Sequence, residues 1–223
     1  MATSVAVWKK QTTTDLIFGF QVICAVGFGG GQFLRMLDSV RGVSGAMFVF
    51  SLTFLFINLY LAIKGYGVKR TRVIVQLIAF MALGVAVYSG LLVLLIVKGG
   101  FWDGNDKVTS LLVLVGVSAS LLVGKSRGLN WKDPIIKGWL ALSFKAVPQL
   151  MMAWKIAIVG GTGVSGIFIL TFHLLTLSRI LLIFWEIQKV GWDRNRKGML
   201  VSEIGNELSW VVVTTTWAVQ LSG

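Results

Sequence analysis

The sequence has few charged residues for its length, and this shortage indicates its class. Of the 223 residues, 13% are charged and 56% are hydrophobic, and the mean hydropathy is +0.82. An average soluble domain has about a quarter charged residues. The missing charge leaves long uncharged runs, so the composition argues against an ordinary soluble domain and predicts a membrane protein.

Cysteine and histidine are almost absent as well. The single Cys24 excludes a disulfide framework within the chain. The single His173 makes a histidine-rich metal site or a Cys/His zinc site incompatible with the composition. Since the sequence also lacks a nucleophile–base pair and a phosphate-binding loop, we expect no enzymatic activity and no cofactor.

What is abundant is positive charge, with a formal net charge of +12. The basic residues cluster between apolar runs and do not follow one surface stripe. Such clusters set membrane topology and contact anionic headgroups, so we expect lipid and a small-molecule solute as partners, and no nucleic acid. The sequence does not decide whether the protein forms a homo-oligomer.

Apolar runs long enough to cross a bilayer recur along the chain. A spanning helix needs about 20 mainly apolar residues. Seven candidates follow from the positions of the charges: 16–34, 42–63, 73–97, 108–124, 138–154, 156–178 and 199–221. The last carries Glu203 and Glu207 in its first turns and is the most polar of them.

Lysine and arginine are distributed unevenly between the predicted loops. The N-terminus and the loops after helices 2, 4 and 6 hold 14 of these residues, whereas the loops after helices 1, 3 and 5 hold 5. Cytoplasmic loops carry the excess of positive charge, so the count predicts a cytoplasmic N-terminus. Whether the membrane is a plasma, inner or organelle membrane is left open.

The sequence contains an internal repeat. The motif GVSG occurs at 42–45 and again at 163–166, each time opening a long apolar helix. Gly31-Gln32 precedes the first copy and Pro148-Gln149 precedes the second. The expected fold is therefore an all-α membrane protein with seven transmembrane helices, as two parallel three-helix repeats joined by a connector helix (3+1+3). The predicted boundaries are an N-terminal segment 1–14, a first repeat 15–100, a connector 101–131 and a second repeat 132–223.

The segment KAVPQLMMAWK, followed by GGTGVSG, resembles the PQ-loop repeat family. That family includes SWEET and SemiSWEET sugar facilitators, cystinosin-like exporters and relatives of the KDEL receptor. The resemblance covers 15–65 and 138–186, and it implies parallel repeats that move against each other. The chain differs from the pattern in having Gly31 where proline is expected, and its charge count gives the orientation opposite to that usual in SWEET proteins.

Two positions are predicted hinges beside a cavity. Pro148 removes a backbone donor inside an apolar segment, and Gly31 weakens the corresponding helix of the first copy. The alternative for Pro148 is a static kink packed against neighbouring helices. The adjacent Gln149 and Gln32 are then either ligands along a solute pathway or hydrogen-bonding links between helices.

Three charged residues are predicted to share one depth in the membrane. From the helix rise, Lys145, Arg179 and Glu207 each lie roughly 12–13 Å from the same face. Glu207 can neutralise one of the two cations, which leaves the other for Glu203 or for an anionic ligand. The alternative is that both cations snorkel to the headgroups while the two glutamates lie in a loop.

Other polar residues are weaker candidates for the pathway. Asn58 aligns with Arg179 when the two GVSG motifs are superimposed. His173 lies deep enough in its helix for a proton-sensing role, although a hydrogen-bonded core histidine is the alternative. Asn206, with Trp210 one turn later, resembles in type the asparagine and tryptophan that surround substrate in SWEET proteins.

These features favour a transmembrane transporter or facilitator of a small polar solute, such as a sugar, an amino acid or a small organic anion. Alternating access at a midplane site between two repeats is the expected mechanism. Two alternatives stay open: a KDEL-receptor-like receptor for a peptide motif, and a protein similar to the trimeric intracellular cation channels.

Overall fold

The computed structural model describes residues 12–68, 70–130 and 133–222, with side chains from Asp15 onward. The predicted N-terminal segment 1–14 lies almost wholly outside these residues, as do Lys9, Lys10, Lys69 and Lys132 from the charge count. The described chain folds into seven α-helices: α1 (Thr12–Asp38), α2 (Gly45–Val68), α3 (Arg72–Val97), α4 (Gly104–Ser126), α5 (Pro134–Val159), α6 (Gly166–Val190) and α7 (Arg194–Ser222). The predicted all-α class is confirmed.

Short polar side chains begin several of the helices. Thr71, Asp103, Asp133 and Ser165 lie at the N-cap positions of α3 to α6, and each side chain accepts a hydrogen bond from a backbone N–H of the first turn. Such caps satisfy amide groups that have no partner within the helix. Gly160 and Gly191 end α5 and α6 with positive φ values of 87° and 78°, a conformation that glycine adopts without strain.

Six helices, α1 to α6, are long and apolar enough to cross a membrane. The chain is therefore an integral, multi-pass membrane protein. Helix α7 has 29 residues but falls short of the others in hydropathy. Its polar residues are the reason, since Glu203, Asn206, Glu207 and Ser209 lie between its tenth and sixteenth residues.

The sixth predicted span, 156–178, is displaced, because its first residues belong to α5 and α6 runs from Gly166 to Val190, with Arg179 inside the helix. Two further helix boundaries differ from the sequence prediction for reasons that the contacts show. Helix α5 continues through Lys155 to Val159, whereas the charge had been expected to end it. The Lys155 ammonium is neutralised by Asp103 at 2.7 Å, so the residue lies within the helix. Helix α7 begins at Arg194, five residues before the predicted start at Met199. At this end of the helix, Asp193 accepts a hydrogen bond of 2.7 Å from the N–H of Arg196.

The helices pack in two groups that have the same order. Helix α3 lies between α1 and α2, and α7 lies between α5 and α6. In the described residues, the backbones of α1 and α2 do not approach each other closely, nor do those of α5 and α6. The groups meet where α1 packs on α6 and α2 on α5, while α4 packs on α5 and α2.

Aromatic side chains fill the space between the two groups. Phe28 of α1 packs against Tyr88 of α3 at a ring separation of 5.4 Å and against Phe172 of α6 at 5.1 Å. Phe172 in turn stacks on Trp210 of α7 at 4.3 Å. Trp210 is fully buried. Such contacts contribute packing energy beyond their buried area.

One end of the bundle is closed by contacts between two loops, 39–44 and 160–165, and we call this end the GVSG face. The Gly163 N–H donates to the Arg41 carbonyl at 2.9 Å, and the hydroxyls of Ser39 and Thr162 lie 3.1 Å apart. A Cβ on Gly163 would lie 2.7 Å from backbone atoms of Ser39, Val40 and Arg41. Glycine thus permits the two loops to pack backbone against backbone.

Candidate functional site

The charged centre of the bundle lies between α5, α6 and α7. The Lys145 ammonium is 2.9 Å from Glu203 Oε1, and the Arg179 guanidinium is 3.8 Å from Glu203 Oε2. The side chains of Lys145, Glu203 and Arg179 are 11%, 12% and 28% exposed. All three are therefore held inside the bundle, with Arg179 the most accessible.

Both cations point towards the first group of helices. Lys145 Nζ lies 4.7 Å from the ring centroid of Phe54 on α2, and Arg179 Cζ lies 5.2 Å from that of Phe80 on α3. Cations at this distance from a ring face are stabilised by its quadrupole. The charged centre is thus at the boundary between the two groups.

The acid that joins Lys145 and Arg179 is Glu203, which the sequence had offered only as the second choice after Glu207. Glu207 instead contacts His173, with Oε1 2.6 Å from Nδ1. The two glutamates are one helical turn apart on α7 and therefore lie on the same side of that helix. The relative positions of α5, α6 and α7 therefore determine that Glu203 pairs with Lys145 and that Glu207 pairs with His173.

His173 bridges α6 and α7 through both ring nitrogens. Besides the Nδ1 contact, Nε2 lies 2.7 Å from Thr214 Oγ1, and that hydroxyl donates to the Trp210 carbonyl at 2.8 Å. Which atom donates in each contact of the ring depends on the tautomer of His173.

The amides predicted for the pathway form a network that joins α5, α6 and α7. Gln149 Nε2 donates to Asn206 Oδ1 at 2.9 Å, and its Oε1 accepts from the Ser209 hydroxyl. Asn206 Nδ2 donates in turn to Thr176 Oγ1 at 3.0 Å. All four side chains are buried. In this conformation the network holds the three helices together, as interhelical polar contacts in membranes do.

Gln32 has the corresponding place in the first group but a different partner. Its Nε2 donates to the Gly163 carbonyl at 2.8 Å, and its Oε1 accepts from the Ser165 N–H at 3.0 Å. The side chain is buried and ties α1 to the start of α6. Gly31 lies beside it, where a Cβ would be 2.9 Å from Ile167 Cβ.

The two predicted hinges lie within continuous helices. Helix α5 runs through Pro148, which is buried, and α1 runs through Gly29–Gly31. Asn58 donates to the Phe54 carbonyl of its own helix at 2.7 Å. Asn58 thus lies one turn from Phe54, the residue whose ring packs against Lys145. Among the described residues, Asn58 makes no polar contact with the charged centre.

A second buried carboxylate, Asp106, was not found by sequence reasoning. Its Oδ1 accepts from the Ser44 hydroxyl at 2.7 Å and from the Ala46 N–H at 3.0 Å, so an acid of α4 caps the start of α2. Its Oδ2 lies 3.8 Å from Lys155. A signal was available, because Asp103 and Asp106 have the spacing of a capping box at the start of an apolar run.

Asp103 itself lies just outside the span that it caps. Burial raises the pKa of its carboxyl, but hydrogen bonds from Lys155 and from the backbone N–H groups of Asp106 and Asn105 outweigh it, so the pKa is lowered. The ion pair with Lys155 thus persists at neutral pH at the GVSG face.

Taken together, the fold and this interior define an α-helical, multi-pass membrane protein with a charged centre between helix groups. Comparison of the chain with protein-family models, with curated proteins and with solved structures finds no match.

Proposed function

We propose that this protein is a transporter or facilitator that moves a small polar solute carrying an anionic group, by alternating access between two three-helix repeats. The repeats are α1–α3 and α5–α7, with α4 as the connector and α7 crossing the membrane beside α5 and α6. The proposal also takes up the resemblance to the PQ-loop repeat family.

The helix order supports two parallel repeats. In each group the third helix is the middle one, and α1 contacts α6 just as α2 contacts α5. A rotation that exchanges the groups preserves this pattern. The low hydropathy of α7 fits its position, because its polar side chains face α5 and α6 and not lipid.

The observation that carries the proposal is the charge of the centre. Lys145 and Arg179 supply two positive charges, and Glu203 supplies one negative charge. An isolated charge in a membrane costs about 2.5–3.5 kcal/mol on insertion scales. Among the described residues Lys145 and Arg179 share the single carboxylate of Glu203, because Glu207 contacts His173 instead. A carboxylate or similar group on the solute would compensate the second positive charge.

Arg179 is suited to receive that group. A guanidinium has five N–H donors in a fixed fork that matches a carboxylate. In the part of the chain that the structure describes, its partner is Glu203 at 3.8 Å, longer than a hydrogen bond. Its donors are therefore free to bind a second acceptor.

The closed GVSG face supports alternating access. The loops that close it each lead into one copy of the repeated motif, and they belong to different groups of helices. Separation of these loops, with Gly31 and Pro148 as the hinges, would open the centre to that side.

Flux in proteoliposomes tests the function. We expect uptake of a monocarboxylate or amino-acid solute and its loss in Lys145→Met, because the remaining Arg179 is then neutralised by Glu203. Lys137→Met is the matched control, since Lys137 is exposed two turns earlier on the same helix, and it should transport normally. Normal flux in Lys145→Met would show that Lys145 does not bind the solute.

The absence of flux with anionic, zwitterionic and sugar solutes, together with saturable binding of a peptide, would instead indicate a receptor.

A further inference from the structure

The end of the bundle opposite the GVSG face carries many cations that the charged centre does not use. At this end, which we call the basic face, α2, α4 and α6 end and α3, α5 and α7 begin. Its described cations are Lys64, Arg70, Arg72, Lys125, Arg127, Lys137, Lys189, Arg194, Arg196 and Lys197. Some of them pair with a carboxylate and others do not, and the proposed transport function explains neither arrangement.

Three arginines of the basic face are neutralised by acids. Arg72 lies 2.8 Å from Asp15, and Arg194 lies 3.1 Å from Asp133. Arg196 is likewise paired, with acids of α6 and of the loop before α7. Asp133, which begins α5 directly after the loop from α4, is thereby committed to an arginine of α7 and does not serve the end of α4.

The end of α4 has two cations without a carboxylate partner. Lys125 and Arg127 are both exposed, and neither makes an ion pair in the part of the chain that the structure describes. Arg127 Cζ lies 5.7 Å from the ring centroid of Trp139 on α5. The ring attracts the guanidinium through its quadrupole and uses none of its N–H donors, so these donors stay available to an anion.

The backbone that carries the two cations is well fixed. Helix α4 ends in a Schellman motif, in which the Gly128 N–H donates to the Lys125 carbonyl at 3.0 Å. The Leu129 N–H donates to the Gly124 carbonyl at 2.9 Å in the same motif. A Cβ on Gly124 would lie 2.6 Å from Ile136 Cδ1, so α4 and α5 pack closely here. Both cations therefore project from an ordered junction of two helices.

We propose that Lys125, Arg127 and Trp139 form a binding site for the headgroup phosphate of an anionic phospholipid. Two cations without an acid are complementary to a phosphate, and the guanidinium fork matches the geometry of its oxygens. The site lies on the outside of the bundle, away from the charged centre. It stands whether or not the protein transports a solute.

The surface below the cations shows that the phosphate belongs to a lipid. Leu122 precedes Lys125 by three positions and therefore lies on the same side of α4. Leu122 is 67% exposed and Leu114, two turns further into the membrane, is 61% exposed. From Leu114 to Lys125 the helix rises roughly 16 Å, about half of the ~30 Å hydrocarbon core. An acyl chain thus fits along α4 while its headgroup reaches Lys125.

The neighbouring helix ends place these cations at headgroup depth. Arg70 lies 5.7 Å from the ring centroid of Tyr66 at the end of α2, and Lys189 lies 3.5 Å from that of Trp185 near the end of α6. Tryptophan and tyrosine are enriched where the hydrocarbon core meets water. Since Trp139 occupies the corresponding place on α5, Arg127 lies on the headgroup side of this aromatic layer.

Native mass spectrometry of the full chain in detergent tests the site. Phosphatidylglycerol and phosphatidylcholine with the same acyl chains are added separately, and we expect the anionic lipid to bind more tightly. Lys125→Gln/Arg127→Gln should weaken phosphatidylglycerol binding by about 25-fold, because each cation near a lipid surface contributes about fivefold. Phosphatidylcholine binding should stay unchanged in that variant.

A second double variant removes the same charge elsewhere. Lys107 and Lys197 are exposed and have no ion-pair partner in the described ranges, and Lys107 lies at the other end of α4. Lys107→Gln/Lys197→Gln should change phosphatidylglycerol binding by less than about twofold, since salt screens distant charges. Equal weakening in the two double variants would reduce the effect to net charge and overturn the site.

The aromatic partner and the source of the phosphate have their own tests. Trp139→Leu should weaken phosphatidylglycerol binding by about two- to fivefold, because Arg127 loses the ring that positions it. Trp185→Leu should leave this binding unchanged, and equal effects of the two variants would contradict the role of Trp139. Inorganic phosphate should not displace the lipid. Displacement at equal concentration, or equal binding of the two lipids, would overturn the assignment to an anionic phospholipid.

Discussion

Glu203 is the residue on which the charged centre depends. It lies between Lys145 and Arg179, and its Oε2 makes no hydrogen bond in the described residues. Removal of one member of a buried ion pair is strongly destabilising because it leaves uncompensated charge. The two cations would then face each other without their common carboxylate.

We therefore expect Glu203→Gln to lower the free energy of unfolding in detergent by about 3 kcal/mol, within the range for broken buried pairs. The double variant Lys145→Met/Glu203→Gln should recover most of the loss, since it removes one of the opposed cations. Glu186→Gln is the control: the side chain is 58% exposed and should change stability by less than about 0.5 kcal/mol. Additive single effects in the double variant would show that the pair is not coupled.

At the scale of elements, the three consecutive glycines of α1 have three different environments. A Cβ at Gly29 would meet Val87 of α3 at 2.6 Å, and one at Gly31 would meet Ile167 of α6 at 2.9 Å. A Cβ at Gly30 meets nothing within 4 Å. The run predicted to weaken α1 also permits its close packing on two neighbouring helices.

This difference predicts opposite effects for adjacent substitutions. Gly30→Ala should stabilise the protein by about 0.5–1 kcal/mol, because alanine favours a helix and no neighbour has to move. Gly29→Ala should instead destabilise it, since Val87 has to shift and α1 moves away from α3. Thermal unfolding in one detergent compares the two variants directly. Equal effects would mean that α1 and α3 are not packed this closely.

At the scale of the whole molecule, the closed GVSG face defines one end state of the proposed cycle. Ser39 and Thr162 contact each other through their hydroxyls at 3.1 Å, across the boundary between the two helix groups. The proposed transport requires this contact to break in every cycle. A covalent link at the same place should arrest the protein in the conformation described.

Cysteine cross-linking provides the measurement. The sulfurs of Ser39→Cys/Thr162→Cys would lie within reach of a disulfide. Oxidation should abolish solute flux, and reduction should restore it. Each single cysteine variant serves as the control, because neither can form the link. Cys24 is buried and remains in place. Undiminished flux through cross-linked protein would rule out movement of these loops.

The sequence allowed much of the architecture to be predicted, because hydrophobicity along one dimension determines it. Five of the six most apolar helices follow from uncharged runs, whereas the sixth run, 156–178, straddles the end of α5 and the start of α6. The positions of Lys145 and Arg179 within helices follow from the helix rise. The parallel repeats and the hinge roles of Gly31 and Pro148 remain predictions.

The ion-pair and hydrogen-bond partners of these residues could not be predicted from hydrophobicity and helix rise. Glu203 and Glu207 are equivalent by depth to within one turn, and the rotation of α7 between α5 and α6 assigns one to Lys145 and the other to His173. Lys155 was expected to end α5, but Asp103 lies 52 positions earlier in the chain and neutralises it inside the helix.

By itself, then, the sequence determined that this is a helical membrane protein with cations among its apolar runs, because burial in lipid depends on composition. The tertiary structure decided which acid meets which base, which glycines are contacts and which side chains contact the two ring nitrogens of His173. Each of these depends on distances between helices that are far apart in the chain, and only the packed bundle sets those distances.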